Sequence, residues 1–113
     1  MDERILKWLY DIQFAIEEIE SYFEDYPKDF NNFSSNLILK RAVEWDLEIN
    51  GEAANRILKR DPEFSLENAK RIDGLRNQII HAYDSISDEN IWAIIQKHLP
   101  ILKNEIGELI NQH

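Results

Sequence analysis

The chain has 113 residues, and its 13 Lys and Arg against 22 Asp and Glu give a formal net charge of −9. The absence of cysteine excludes disulfides and thiolate metal sites, and the acidity would repel nucleic acid at long range. Three Gly and three Pro leave few residues for tight turns, which favours helices over a many-stranded sheet. We expect one all-α domain over residues 1–113.

The N-terminus and the apolar patterning predict a cytoplasmic protein with no membrane association. Residues Met1 to Arg4 lack the basic start and continuous apolar run of a signal peptide. Apolar stretches elsewhere are shorter than a bilayer span requires.

The first predicted helix has two apolar rows. The main row recurs at spacings of four and three and ends before Pro27: Ile5, Leu9, Ile12, Ile16, Ile19 and Phe23. A second row, Leu6, Tyr10 and Phe14, lies on another side of the helix. This second row packs either on a second helix of the bundle or on another subunit.

A polar connection is predicted over residues 24–36, with Ser34 or Ser35 capping the next helix. That helix should run from about Leu37 to Lys59. It has two apolar stripes, which are Ile38, Ala42, Trp45, Ile49 and Ala53, and, nearly opposite, Leu39, Val43, Leu47, Ala54 and Leu58. A helix that is apolar on two sides is either central in its bundle or buried against a second copy.

Two further helical stretches complete the predicted fold. Ser65 can cap a third helix that continues to about Tyr83, with Ile72, Leu75, Ile79 and Ala82 as its core stripe. Ser87 can cap a fourth, which Pro100 breaks or kinks before a last amphipathic piece. The fold class predicted is an antiparallel bundle of four to five helices.

The third predicted helix carries an unusual group of polar side chains, Arg76, Asn77, His81 and Tyr83. On an ideal helix Arg76 and His81 diverge by about 140°. They can converge on one atom only if Arg76 curls round, if the helix deforms, or if a second subunit completes the site. A two-fold dimer would place two copies of the motif across one cleft.

These residue types suit cleavage of an RNA phosphodiester without a metal or another cofactor. Neutral His81 can take a proton from a 2′-hydroxyl, and the Arg76 guanidinium can bind the phosphate and stabilise developing charge. Asn77 could orient the imidazole or bind a phosphate oxygen. The ordinary alternative is that Arg76 and His81 are surface residues and Tyr83 is a packing residue.

Rival chemistries have less support in the sequence. No Glu precedes a His by three residues, as a carboxylate-bridged metal bundle would need. The many carboxylates are spread over the helix faces in the manner of a solvated surface. Eight of the 13 basic residues lie between positions 40 and 76, so folding could assemble a cationic patch near the motif.

The sequence resembles the HepT-type toxins of the HEPN superfamily. The resemblance rests on Arg76-Asn77-x-x-x-His81-x-Tyr83 and on the segment 42–54, whose Ile49-x-Gly-Glu-Ala core looks like that family's second helix. Asn90-Ile91-Trp92 and Leu99-Pro100-x-Leu102 are also similar to the family.

This resemblance implies a homodimeric ribonuclease toxin whose partner is an MNT-type nucleotidyltransferase antitoxin. It implies that Arg76 and His81 serve catalysis and that the antitoxin attaches AMP from ATP to Tyr83. Two other hypotheses stay open. One is a non-catalytic helical subunit that binds substrate for a separate nucleotidyltransferase, and the other is a dimeric interaction module.

Overall fold

The computed structural model describes residues 2–64, 66 and 87–112 of the chain. These residues form helices α1 (Glu3–Asp25), α2 (Phe30–Ser35) and α3 (Leu37–Arg60), and then α4 (Asp88–Ala93) and α5 (Leu99–Asn111). A π-helical turn, Ile94–His98, joins α4 to α5.

Helix α1 is the predicted first helix, and its main apolar row is the buried one. Asp2 caps its start, because one carboxylate oxygen accepts from the backbone N–H of Arg4 at 2.8 Å and of Ile5 at 3.3 Å. In the second row, Tyr10 and Phe14 are exposed, so none of the described helices covers them, and the helix predicted from Ser65 to about Tyr83 lies outside the described residues. Their use as a subunit interface stays a prediction.

The connection between α1 and α3 differs from the prediction in two respects. It contains α2, whose cap is Asp29, and the cap of α3 is Asn36, which accepts from the N–H of Leu39 at 3.0 Å. The prediction that Ser34 or Ser35 caps α3 was therefore wrong. Both serines lie inside α2, where the Ser35 hydroxyl donates to the Asn32 carbonyl instead.

Helices α1 and α3 pack antiparallel, and one stripe of α3 faces the core. Arg60 at the end of α3 donates to Asp2 at the start of α1 at 2.8 Å. The stripe that contains Leu39, Val43 and Leu47 is buried. The opposite stripe leaves Ile38 and Trp45 exposed.

The C-terminal part of the described chain starts as predicted and changes its hydrogen bonding before Pro100. Ser87 accepts from the N–H of Asn90 at 3.1 Å, which confirms it as the cap of α4. The N–H of Leu99 donates to the carbonyl of Ile94, five residues earlier. Pro100 has no N–H, and its ring would clash with the carbonyl of residue 96 in a regular α-helix. The wider π turn accommodates the proline ring with less crowding than a regular α-helical turn would, so Pro100 alters the helix without ending it.

Helix α5 lies antiparallel to α1, since Leu99 lies beside Phe23 and Lys103 donates to Glu20 at 2.8 Å. A single core joins α1, α3, α4 and α5, with Leu9, Ile12, Val43, Ile91 and Ile106 each at most 1 % exposed. The all-α helical bundle is confirmed. Within the described ranges, no helix is long and apolar enough to cross a membrane.

Candidate functional site

The four predicted site residues, Arg76, Asn77, His81 and Tyr83, lie outside the described residues, as does the predicted third helix. The described residues nearest to the motif on its two sides are Leu66, which is buried, and Ser87. Helices α1 to α5 form the frame to which the motif is attached.

The two attachment points lie at opposite ends of α3. On the N-terminal side the chain leaves α3 at Arg60 and turns at once, with the N–H of Phe64 donating to the carbonyl of Asp61 at 3.0 Å. On the C-terminal side Asp88 lies beside Lys40, in the second turn of α3, at 3.3 Å. Lys40 and Arg60 are 20 residues apart, which corresponds to about 30 Å along a helix.

The start of α4 is fixed by polar contacts of Asp88. One of its oxygens accepts from the Ser34 hydroxyl at 3.0 Å and from the Lys40 ammonium at 3.3 Å. Both contacts are part-buried, so solvent screens them less than it screens an exposed pair. They connect α4 to α2 and to the first turns of α3.

An aromatic cluster holds the middle of α4. The Trp92 ring packs edge-on against Phe23 of α1 and Phe30 of α2, at centroid distances of 5.8 and 6.3 Å. Phe33, which is fully buried, lies 5.4 Å from the same ring. Offset and edge-to-face aromatic contacts each add about 0.5–1.5 kcal/mol beyond burial, so α4 is held firmly on α1 and α2.

A buried carboxylic acid lies between α1 and α3. Asp46 has no exposed surface, and one of its oxygens accepts from the Tyr22 hydroxyl at 2.6 Å. The pKa of Asp46 is raised to about 7, mainly by burial and also by the hydrogen bond and negative charge of nearby Glu18, whereas the Tyr22 hydrogen bond lowers it. Burial and the Asp46 charge also raise the pKa of Tyr22. Asp46 is therefore a neutral acid over much of the acidic pH range.

Asn50 lies one helical turn beyond Asp46 and is also fully buried. Neither atom of its side-chain amide, nor the second oxygen of Asp46, has a hydrogen-bond partner among the described residues. The expectation that the carboxylates form a solvated surface was thus wrong for Asp46. The signal was present in the sequence, because Asp46 and Asn50 fall within about 60° of Val43 on the buried stripe of α3.

Most of the basic side chains that α3 supplies are paired with carboxylates. Arg41 pairs with Glu44 at 3.0 Å, Arg56 with Glu52 at 2.6 Å, and Lys40 and Arg60 with Asp88 and Asp2. Paired cations contribute less to the long-range field than isolated ones. The other basic residues between positions 40 and 76 are Lys59 and, outside the described part of the chain, Lys70, Arg71 and Arg76.

Comparison with known proteins identifies the class to which this helical chain and its motif belong. The family model described as "Ribonuclease HepT-like" matches residues 12–109. The chain is 34 % identical over 108 residues to "Putative RNase MJ1380" of Methanocaldococcus jannaschii, which covers 94 % of this chain and 97 % of that protein. It is 33 % identical over 109 residues to "Putative RNase TTE0752" of Caldanaerobacter subterraneus subsp. tengcongensis, covering 92 % and 88 %. No solved structure matches the chain.

The chain therefore belongs to the HepT-like ribonuclease family, and the resemblance read from its sequence is confirmed. Membership supports a ribonuclease activity. The matched range includes Arg76, Asn77, His81 and Tyr83, so the motif lies within the family's own domain.

Proposed function

We propose that the protein is the cytoplasmic toxin of a toxin–antitoxin pair and that it cleaves RNA without a metal. The observation that carries the proposal is the match to the ribonuclease family over residues 12–109, a range that contains Arg76 and His81 at the spacing Arg-x4-His. Support also comes from the residue types, because imidazole and guanidinium can together move a proton and bind a phosphate.

The proposed reaction uses the 2′-hydroxyl of the substrate as the nucleophile. His81 takes the hydroxyl proton, the 2′-oxygen bonds to phosphorus, and the bond from phosphorus to the 5′-oxygen breaks. The leaving 5′-oxygen takes a proton from solvent, and the products are a 2′,3′-cyclic phosphate and a 5′-hydroxyl. Arg76 stabilises the negative charge that grows on the phosphate oxygens. Asn77 orients the imidazole or binds a phosphate oxygen.

Tyr83 is the proposed regulatory site. An MNT-type nucleotidyltransferase antitoxin catalyses attack of the Tyr83 hydroxyl oxygen on the α-phosphorus of ATP, with loss of the hydroxyl proton and release of pyrophosphate. Tyr83 carries the resulting AMP two residues from His81. A bulky anionic group at that position would repel and obstruct an RNA backbone.

The proposed active form is a homodimer. Arg76 and His81 diverge by about 140° on an ideal helix, and a second copy of the motif is one route to a complete site. Two residues of the α3 stripe opposite the core, Ile38 at 81 % and Trp45 at 63 %, are left exposed by the described part of the chain, which supports the existence of a partner.

Incubation of the purified protein with total RNA, with and without EDTA, tests catalysis. We expect cleavage by the wild-type protein, and its loss on His81→Ala and on Arg76→Ala substitution. The control is Arg56→Ala, which removes an exposed, ion-paired guanidinium of α3 and should leave cleavage unchanged. Equal cleavage by all four proteins would indicate a contaminating nuclease and refute the proposal, and cleavage that EDTA abolishes would refute its metal independence.

Co-expression with an MNT-type nucleotidyltransferase antitoxin tests regulation. Intact-protein mass spectrometry should detect an added AMP on the wild-type chain, and none on Tyr83→Phe. Tyr10→Phe, which removes an exposed hydroxyl of α1, is the matched control and should still be modified. Unchanged modification of Tyr83→Phe would show that another residue accepts the AMP.

A non-catalytic substrate-binding subunit of a nucleotidyltransferase complex is the second candidate function. The net charge of −9 and the carboxylate pairing of the α3 cations favour it, because both weaken attraction to RNA. The two candidates differ in the EDTA assay, since the second predicts no cleavage by any of the variants.

A further inference from the structure

A cavity of about 230 Å³ lies between the C-terminal half of α1 and the π turn. We call it the π-turn pocket. Its apolar walls are Ile19 and Phe23 of α1, and Ile95, Leu99 and Pro100 of the π turn and α5. Ile19, Ile95 and Leu99 belong to the hydrophobic core, and close packing of the core fixes their positions. The pocket is therefore shaped by the packed frame of the protein.

The π turn leaves one backbone carbonyl of the pocket wall without its usual donors. In a regular α-helix the carbonyl of Ile95 would accept from the N–H of Leu99, and in a π-helix it would accept from residue 100. The Leu99 N–H donates to Ile94 instead, and Pro100 has no N–H. Because a backbone carbonyl is a strong acceptor, the Ile95 carbonyl favours a ligand that donates a hydrogen bond.

Carboxylates lie at the α1 side of the pocket. Glu20 and Glu24 each follow an apolar wall residue of α1 by one position, and both line the pocket. Glu20 is paired with Lys103 at 2.8 Å. Glu24 is exposed and has no ion-pair partner among the residues that the structure describes. Its carboxylate is therefore available to a ligand with positive charge.

The C-terminal end of α1 adds to the negative potential beside the pocket. The negative end of a helix dipole is stabilised by basic side chains, but the last turn of α1 contains Glu24 and Asp25 and no basic residue. This arrangement costs stability, and a bound cation would offset the cost. Lys28, which also lines the pocket, offsets one of the two charges and leaves the other together with the helix end.

We propose that the π-turn pocket binds a small organic amine in its protonated form. The apolar part of the molecule lies against Phe23 and Leu99, and the ammonium group donates to the Glu24 carboxylate and to the Ile95 carbonyl. Pockets for drug-sized molecules have volumes of about 300–1,000 Å³, so a cavity of about 230 Å³ suits a ligand with one aromatic ring or a short branched chain. The apolar walls supply affinity, and the acceptors select the cation.

Three ligands that share a phenyl ring and differ in charge test the preference for a cation. They are phenethylamine, phenethyl alcohol and hydrocinnamate, each titrated into the full chain and followed by amide proton–nitrogen correlation spectra. We expect saturable shifts at the amides of Phe23, Glu24 and Leu99. The amine should bind about tenfold more tightly than the alcohol, and hydrocinnamate should bind most weakly.

Two results of these titrations would overturn the proposal. One is equal binding of the three ligands, or tightest binding of hydrocinnamate, which would mean that Lys28 dominates the charge of the pocket. The other is a set of shifts confined to residues that do not line the pocket.

Glu24→Gln tests the proposed carboxylate partner. The variant should lose the tenfold preference for the amine and keep the wild-type affinity for the alcohol. Glu3→Gln is the matched control, since it removes the same charge at the opposite end of α1 and should bind the amine as the wild-type protein does. Both glutamates are exposed, so both variants should fold, which circular dichroism verifies. An unchanged preference in Glu24→Gln would contradict the proposal.

Pro100→Ala tests the backbone acceptor, because alanine supplies an N–H that can satisfy the freed carbonyl. Pro100 is exposed, so the substitution leaves the core intact. Loss of the proline ring should weaken binding of both the amine and the alcohol, but the amine should lose more affinity. Equal losses would exclude the Ile95 carbonyl from the site. The pocket consists of residues outside the ribonuclease motif, so failure of these tests leaves the proposed function standing.

Discussion

Substitution of Asp46 by asparagine should remove a pH dependence of stability that the wild-type protein has. The native pKa of Asp46 is about 7, against 3.8 for a free carboxyl group, because the side chain is fully buried. The folded state therefore holds the Asp46 proton at pH values where the unfolded chain has lost it. This contribution to stability is fully present below about pH 4 and is lost as the pH rises through about 7.

The size of the effect follows from the two pKa values. The difference is roughly three units, and each unit corresponds to about 1.4 kcal/mol, so ionisation of Asp46 should lower the free energy of unfolding by about 4 kcal/mol between pH 4 and pH 8. The amide introduced by Asp46→Asn would remain neutral throughout, with a carbonyl that can still accept from the Tyr22 hydroxyl. The free energy of unfolding of the variant should therefore rise relative to that of the wild-type protein as the pH rises.

Urea unfolding at a fixed protein concentration, followed by tryptophan fluorescence at pH 4.5, 6 and 8, measures this difference. Because all other carboxyl groups are common to both proteins, the difference between them reports Asp46 together with its interaction with Glu18. Tyr22→Phe provides a second test. It removes the hydrogen bond that lowers the Asp46 pKa, so the transition should move to higher pH. A difference between wild type and Asp46→Asn that is constant across the three pH values would refute the reasoning.

Three further predictions concern the frame. Asn36→Ala should lower the free energy of unfolding by about 1 kcal/mol through loss of the α3 cap, and an equal loss on Ser35→Ala would contradict the cap assignment. Ile106→Ala should destabilise the protein by about 2–5 kcal/mol because the side chain is fully buried. Ile101→Ala, at a position that is 55 % exposed, should have less than half that effect. Equal losses of stability in urea unfolding would contradict the packing of α5. Lys103→Ala removes an exposed pair with Glu20, so it should change stability by less than about 1 kcal/mol, and a larger loss that persists in high salt would mean that Lys103 contributes by packing.

Local rules predicted most of the helix positions well. The spacing of apolar residues placed α1 and α3 to within a few residues, and Ser87 was correctly expected to cap α4. The cap of α3 was missed because several adjacent residues could serve as caps. Ser34, Ser35 and Asn36 all have the required chemistry, and the formation of α2 up to Ser35 left Asn36 in the capping position.

For the candidate site, too, the sequence predicted residue types but did not predict which residues surround them in the fold. The motif residues and the family are recognisable in the sequence because the resemblance depends on residue types at fixed spacing. The unusual state of Asp46 was missed because a pKa depends on burial and neighbouring charges, and the neighbours Tyr22 and Glu18 come from a distant part of the sequence.

The sequence by itself determined the helical class of this protein, the positions of the two long helices α1 and α3 and its membership of a ribonuclease family, because periodicity and motifs are local properties of the chain. Only the tertiary structure decided which of the two apolar stripes of α3 enters the core. Both stripes satisfy the helical period equally well. The choice depends on which side α1, α4 and α5 cover, and they cover Val43 and Leu47 and leave Trp45 exposed.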